Sequence, residues 1–125
     1  MVEAIRADSV APAGWHTVTP RIVARNASAL IEFLLYVFRA AAVHGPGSPS
    51  IIQIGDSKIM VSEAGPREPR GAFLYVYVGD LDSTFRRALE RGATAIEEPF
   101  DTPYGDRRCM IEDKWGNAWQ IAVHK

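Results

Sequence analysis

The sequence has one cysteine, Cys109, so no disulfide can form within the chain. It has no apolar run near the roughly 20 residues that a membrane span requires; the densest stretch, residues 27–43, is broken by Glu32 and Arg39. It has no excess of either charge, with 14 Lys and Arg against 15 Asp and Glu, and no segment concentrates the basic residues. That removes the electrostatic footprint of a nucleic-acid binder. The first 14 residues carry Glu3, Arg6 and Asp8 where a secretory signal needs an apolar centre. These absences predict a soluble protein of the reducing cytoplasm, with no nucleic-acid or membrane partner. Its partners are expected to be a small molecule or another protein.

What is present is enough for one core, since 47% of the 125 residues are apolar. Residues 1–14, with Pro12 and Gly14 and no periodicity, read as a flexible N-terminal arm. The alternating, Val- and Thr-rich stretch from His16 to Ala24 predicts a strand, with Pro20 confined to an edge or a bulge. From Asn26 the period changes to that of a helix, carried by Ala27, Leu30, Ile31, Leu34, Leu35 and Phe38 and ending near Ala40, with Asn26 as its N-cap. Phe33, Tyr36 and Val37 make a second apolar side, which points to a further packing partner.

Gly45, Pro46, Gly47 and Pro49 mark a loop. Ile51 to Ile54 and Lys58 to Ser62 flank Gly55-Asp56-Ser57 as a hairpin, and Gly65, Pro66 and Pro69 read as a linker. Ala72 to Val78 is a strongly β-prone run. Asp80 or Asp82 then caps a helix with Leu81, Phe85, Ala88 and Leu89 inward and Arg86, Arg87, Glu90 and Arg91 toward water, stopped by Gly92. Thr94 to Glu97, Arg107 to Glu112 and Ala118 to Val123 read as strands, separated by a loop at Asp101 to Gly105 and a turn at Asp113 to Asn117.

The order is thus strand, helix and strands, twice over. Asn26 and Asp80 stand 54 positions apart (80 minus 26), and the strands before them superimpose at the same offset. Two copies of one supersecondary unit imply an approximate internal two-fold. The segments Gly14-Trp15-His16-Thr17-Val18-Thr19-Pro20, Ile52-Gln53-Ile54-Gly55-Asp56-Ser57, Leu74-Tyr75-Val76-Tyr77-Val78, Ala88-Leu89-Glu90-Arg91-Gly92-Ala93-Thr94, Pro103-Tyr104-Gly105-Asp106-Arg107 and Asp113-Lys114-Trp115-Gly116-Asn117, in that order, resemble small proteins of the glyoxalase/bleomycin-resistance/dioxygenase superfamily. Lys114 stands where those proteins usually have Pro, and the first helix lacks their Phe-Tyr and Phe-Gly pairs.

The resemblance implies an α+β vicinal oxygen chelate fold. In it two βαβββ modules, about residues 15–64 and 71–125 of a single domain, form an incomplete barrel around a cleft. It also implies a homodimer whose clefts draw on both subunits. Metal-using members hold a divalent ion through His, Glu or Gln on the first and last strands of the modules. Carried over by distance from the helix caps, two of those positions fall on Thr19 and Phe73, each seven residues before its cap. The others fall on Gln120, four after Gly116, and near Met60 or Ser62. Gln120 is then the one ligand-type side chain, and a divalent ion needs about three. No metal or other cofactor is expected.

His16, His44 and His124 show no ligand spacing among themselves. Cys109, between aliphatic neighbours, reads as a buried apolar residue rather than a nucleophile. The remaining candidates describe an aromatic and polar cleft: Thr19, Arg21, Gln53, Phe73, Tyr75, Tyr104, Arg108 and Gln120, with Tyr77 on the same strand face as Phe73 and Tyr75. Arg107 and Arg108 either clamp an anion or pair with carboxylates such as Asp106 and Glu112.

Three functions follow. The leading one is metal-independent capture of a small, partly aromatic or antibiotic-like molecule. The second is a lyase, isomerase or dioxygenase, using unrecognised ligands such as Glu63 or His16, or acid–base groups alone. The third is a dimeric interaction module with a filled cleft.

Overall fold

The computed structural model describes residues 10–43 and 49–125. The first module runs β1 (Arg21–Ala24), α1 (Ala27–Phe38), β2 (Ala41–Val43), β3 (Ser50–Ile54) and β4 (Ser57–Glu63). The second runs β5 (Phe73–Tyr77), α2 (Leu81–Glu90), β6 (Thr94–Asp101), β7 (Asp106–Glu112) and β8 (Ala118–His124). Each module makes a four-stranded sheet, ordered β1-β4-β3-β2 and β5-β8-β7-β6, with its outermost strand parallel to its last. Two mixed sheets with two helices and no closed barrel form the α+β, twice βαβββ architecture that the repeat predicts.

β1 is shorter than the alternation suggests because Pro20 has no N–H for a ladder; its carbonyl instead accepts from Met60 N at 3.0 Å. Strand β2 lies at the edge of what reads as loop, and residues 44–48, including His44 and the Gly45–Gly47 loop, fall outside the described residues. Of the expected arm, residues 1–9 also fall outside, while Gly14 is held through its carbonyl by Lys58 Nζ. The hairpin and the last strands follow expectation within a residue, but β6 runs on to Asp101, with two register shifts.

The helix starts differ. Asp80 caps α2 as expected, accepting from Ser83 N at 3.1 Å. Asn26 does not cap α1: it sits in the left-handed region (φ 62°) and makes no side-chain cap bond. Its task falls to Glu63 at the end of β4, whose two carboxylate oxygens accept from Asn26 N (3.0 Å) and Ala27 N (2.8 Å). A carboxylate at a helix N-terminus meets both the free N–H groups and the positive end of the macrodipole.

One core lies where the helices meet the helix-facing sides of both sheets, and it includes Ile22, Leu30, Leu34, Ile52, Val61, Ile111, Trp119 and Ile121. The second apolar side of α1 finds its partner inside the chain. Phe38, on the first side, packs against Trp119 (5.1 Å between ring centroids), while on the second Phe33 packs edge-on to Trp115 (5.9 Å) and Val37 is fully buried. That side therefore needs no second subunit. Two residues expected in water are also at this junction. Arg87 donates to the last carbonyls of α1, reaching Val37 O at 2.8 Å and Tyr36 O at 3.1 Å, and Arg91 lies 3.8 Å over the Tyr36 ring. Glu90, also expected in water, accepts the Tyr36 hydroxyl at 2.9 Å. Conversely Leu89, expected inward, is exposed.

Candidate functional site

The side chains of a strand alternate between faces, so the helices of each module take one face of its sheet and leave the other open. On the first sheet the open face carries Arg21, Val23, Lys58, Met60 and Gln53. On the second, the registers align Phe73, Tyr75 and Tyr77 of β5 with Ala118, Gln120 and Ala122 of β8, and then with Glu112, Met110 and Arg108 of β7. Leu74 and Val76, on the other side, pack into the core.

The open face of the second sheet carries a connected polar network under exposed rings. Phe73 is 66% exposed, Tyr77 60% and Tyr104 55%. Beneath them Asp106, 1% exposed, receives three partners: Tyr75 Oη (2.7 Å) and Tyr77 Oη (2.9 Å) on Oδ2, and His124 Nδ1 (2.9 Å) on Oδ1. The His124 contact, then the Tyr75 hydroxyl, hold the Asp106 carboxyl below its usual range. Burial, reinforced by Tyr104 and Asp106, pushes the Tyr75 phenol up, and the bond to Asp106 does the same for Tyr77. Both phenols stay protonated as donors.

Tyr75 has a single hydroxyl proton and gives it to Asp106. In its 3.2 Å contact with Tyr104, the Tyr104 hydroxyl must then be the donor. Tyr104 in turn accepts from Arg108 Nη1 at 2.9 Å. The chain thus runs in one direction, from the Arg108 cation through two phenols to the Asp106 anion. Arg108 also pairs with Glu97 (3.2 Å) and lies 5.0 Å from the Phe100 ring centroid. Burial works against its charge, but the nearby Glu97 and Tyr104 outweigh it and raise its affinity for the proton.

The sequence-derived residues therefore divide. Phe73, Tyr75, Tyr104, Arg108 and Gln120 come together on the second sheet. Thr19, Arg21 and Gln53 belong to the first, where Arg21 donates to Ser62 Oγ (3.1 Å) and Gln53 to Gly55 O (3.1 Å). Thr19 lines a depression with Trp15, His16 and Met60. Among the described residues no hydrogen bond joins the two groups, although a crevice of about 270 Å³ runs between the β3–β4 turn and β5, lined by Pro20, Ser57, Tyr75 and Tyr77. Arg107 and Arg108 do not pair with Asp106 and Glu112: they meet Asp101 and Glu97. Asp106 alternates with Arg107 and so turns to the opposite face, toward the tyrosines.

Asp106, Glu97, Phe100 and His124 were not among the candidates. The strand alternation that puts Asp106 and Arg108 on one face is the signal that finds the first; the others lie across bulges or at the end of the chain.

A divalent ion fits poorly here. Arg21 pairs with Met60 in the same way that Tyr75 pairs with Gln120, so Met60 rather than Ser62 is the counterpart of Gln120. The four implied positions are Thr19, Met60, Phe73 and Gln120, with one ligand-type donor among them. Among the described residues no three His, Cys, Asp or Glu side chains stand close enough to share an ion. Glu63 commits both oxygens to the start of α1. Cys109 is fully buried, and burial pushes its thiol up to about 12, which removes it as a nucleophile near neutral pH. Among the described residues no helix is long and apolar enough to cross a membrane.

Comparison with other proteins agrees with this fold. The uncharacterized proteins Mb0911c of Mycobacterium bovis and Rv0887c of Mycobacterium tuberculosis are each 27% identical to the chain over 122 residues, which covers 83% of it and 80% and 72% of theirs. TioX from Micromonospora sp. ML1 superimposes with a TM-score of 0.68 at 18% identity, covering 86% of this chain and 99% of that one. A glyoxalase/bleomycin resistance protein/dioxygenase family enzyme from Burkholderia phytofirmans PsJN gives 0.71 at 22%, covering 84% and 95%. At such identities these structures speak to the fold. The model of the Glyoxalase/Bleomycin resistance protein/Dioxygenase superfamily matches residues 6–121, nearly the whole chain, and the chain belongs to that superfamily.

Proposed function

We propose that this protein binds a small, partly aromatic molecule on the open face of its second sheet, with no metal ion taking part. The observation that carries the reading is the exposure of Phe73, Tyr75, Tyr77 and Tyr104 over a polar floor linked by hydrogen bonds. Exposed rings in one cluster mark a surface that something covers, and directed polar groups among them are the usual make-up of a small-molecule site. A homodimer supplies the missing wall: a second copy seated over the face turns it into a cleft, in a protein of the reducing cytoplasm.

A thermal-shift screen of aromatic and antibiotic-like compounds tests the reading. A compound at about a hundred times its Kd stabilises the protein by about 2.7 kcal/mol. Substituting Tyr77→Leu removes that shift without lowering the melting point of the free protein by more than a few degrees. Elemental analysis of protein purified without chelator tests the other half. Stoichiometric zinc, nickel, iron or manganese that turnover requires would overturn the metal-free reading and favour the enzyme alternatives.

A further inference from the structure

We infer that the ligand of this face is a flat organic cation, an aromatic amidinium, guanidinium or ammonium compound, and that Glu97 sets this preference. The inference rests on the binding reading above and adds the charge of the ligand. It begins with the protons. Tyr75 and Tyr77 give theirs to Asp106, Tyr104 gives its own to Tyr75, and Arg108 gives to Tyr104 and Glu97. The one Arg108 nitrogen left without a partner, Nε, is buried, so a ligand does not reach it. Apart from the Gln120 amide, the face thus turns its donors inward and offers a visitor hydroxyl lone pairs and ring faces.

The charges point the same way. The titratable groups on this face are Asp106, Glu97 and Glu112 against Arg108, with His124 at its end and the hydroxyls of Tyr75 and Tyr77 held protonated. Three carboxylates thus outnumber the cations, which are Arg108 and at most one imidazolium. In the Arg108–Glu97 pair the side chains are 16% and 37% exposed, so the anion is the more accessible member. Cations bind the faces of tyrosine and phenylalanine through the ring quadrupole. An anion of the same shape meets those negative ring faces and the carboxylates, and finds few free donors. Gln120, whose amide makes no hydrogen bond among the described residues, is left to orient a neutral group.

Three probes of one shape test this at pH 7: benzamidinium, benzamide and benzoate, titrated into isotopically labelled full-length protein. Amide shifts of residues 73–77 and 104–108 report the place, and their concentration dependence reports the affinity. Benzamidinium is expected to bind at this face about tenfold more tightly than either of the others, the ratio that one partly desolvated cation–π contact gives. Glu97→Gln, a change at an exposed side chain, is expected to cut the benzamidinium affinity several-fold and to raise that of benzoate. Tyr77→Phe keeps the ring and stays within twofold of the parent. Benzamide or benzoate binding at this face as well as the cation would overturn the charge preference and leave the binding reading standing. No shift at these residues with any of the three would remove both.

Discussion

The two open faces descend from the same βαβββ plan and have parted in chemistry. The first is dressed by its own chain: Lys58 Nζ bonds Gly14 O and stands 5.5 Å from the Trp15 ring centroid, and Arg21 is tied to Ser62. The second is bare, and its rings stand over a buried carboxylate. The tips of the last hairpins differ as well. In the first module the β3–β4 turn is the exposed Gly55-Asp56. In the second, Asp113 is buried and accepts from Trp115 N, Asn117 N, Asn117 Nδ2 and Trp119 Nε1, each at 2.9 Å. Asn117 Oδ1 then takes Ala72 N and fixes the start of β5. A duplicated backbone keeps its ladder and its core, while the buried hairpin network and the bare aromatic face are both built on the second copy.

The hairpin tips give the sharpest way to break this comparison. Asp113→Ala strands four donors, two of them on buried side chains, and is expected to cost about 3 kcal/mol in urea unfolding. Asp56→Ala, at the equivalent exposed tip, is expected to move the melting midpoint by no more than about 2 °C. Equal effects would mean that the modules share the load evenly. Next in size, Arg87→Ala leaves the end of α1 without its donors and is expected to cost about 2 kcal/mol, seen as a lower urea midpoint.

The helix starts sharpen the comparison through pH. The N–H groups of Ala27 and Asn26 hold Glu63 below its ordinary 4.5, and Ser83 holds Asp80 below 3.8. A carboxyl whose folded pKa is depressed adds stability above its unfolded pKa and loses that gain as pH falls through the folded value. Glu63→Gln is therefore expected to be less stable than the parent at pH 6. The two stability curves should converge as pH falls through that folded value, and a gap that persists in acid would mean Glu63 acts by packing rather than by charge. On the bare face, Tyr75→Phe removes the acceptor of Tyr104 and one donor to Asp106, which keeps Tyr77 and His124, so the melting point is expected to shift by only a few degrees while ligand-induced stabilisation falls.

Much of this was legible in the sequence because it is local. The caps at Asp80 and Gly92, the alternation of residues 73–77 and the hairpin around Gly55-Asp56 each depend on neighbours a few residues away. The 54-residue offset then gave the repeat, and ordered segments gave the family. What escaped was long in sequence separation. Glu63 reaches back 37 residues to start α1, where Asn26 offered a plausible local cap. The Tyr75–Asp106 bond spans 31 residues, and Asp106 beside Arg107 reads as half of a surface ion pair until the register turns the two apart. The second apolar side of α1 asked for a further packing partner because nothing local says that Trp115 returns to it.

The bond from Arg87 to the end of α1 has a consequence for the history of such a chain. The second half lends the first the arginine that finishes α1, and its Trp115 and Trp119 pack on Phe33 and Phe38, so cutting at the Pro66–Pro69 linker divides a shared core rather than freeing two small proteins. Mixed together, the fragments should reassemble. A single ancestral unit would have met the same need by borrowing that arginine from a twin.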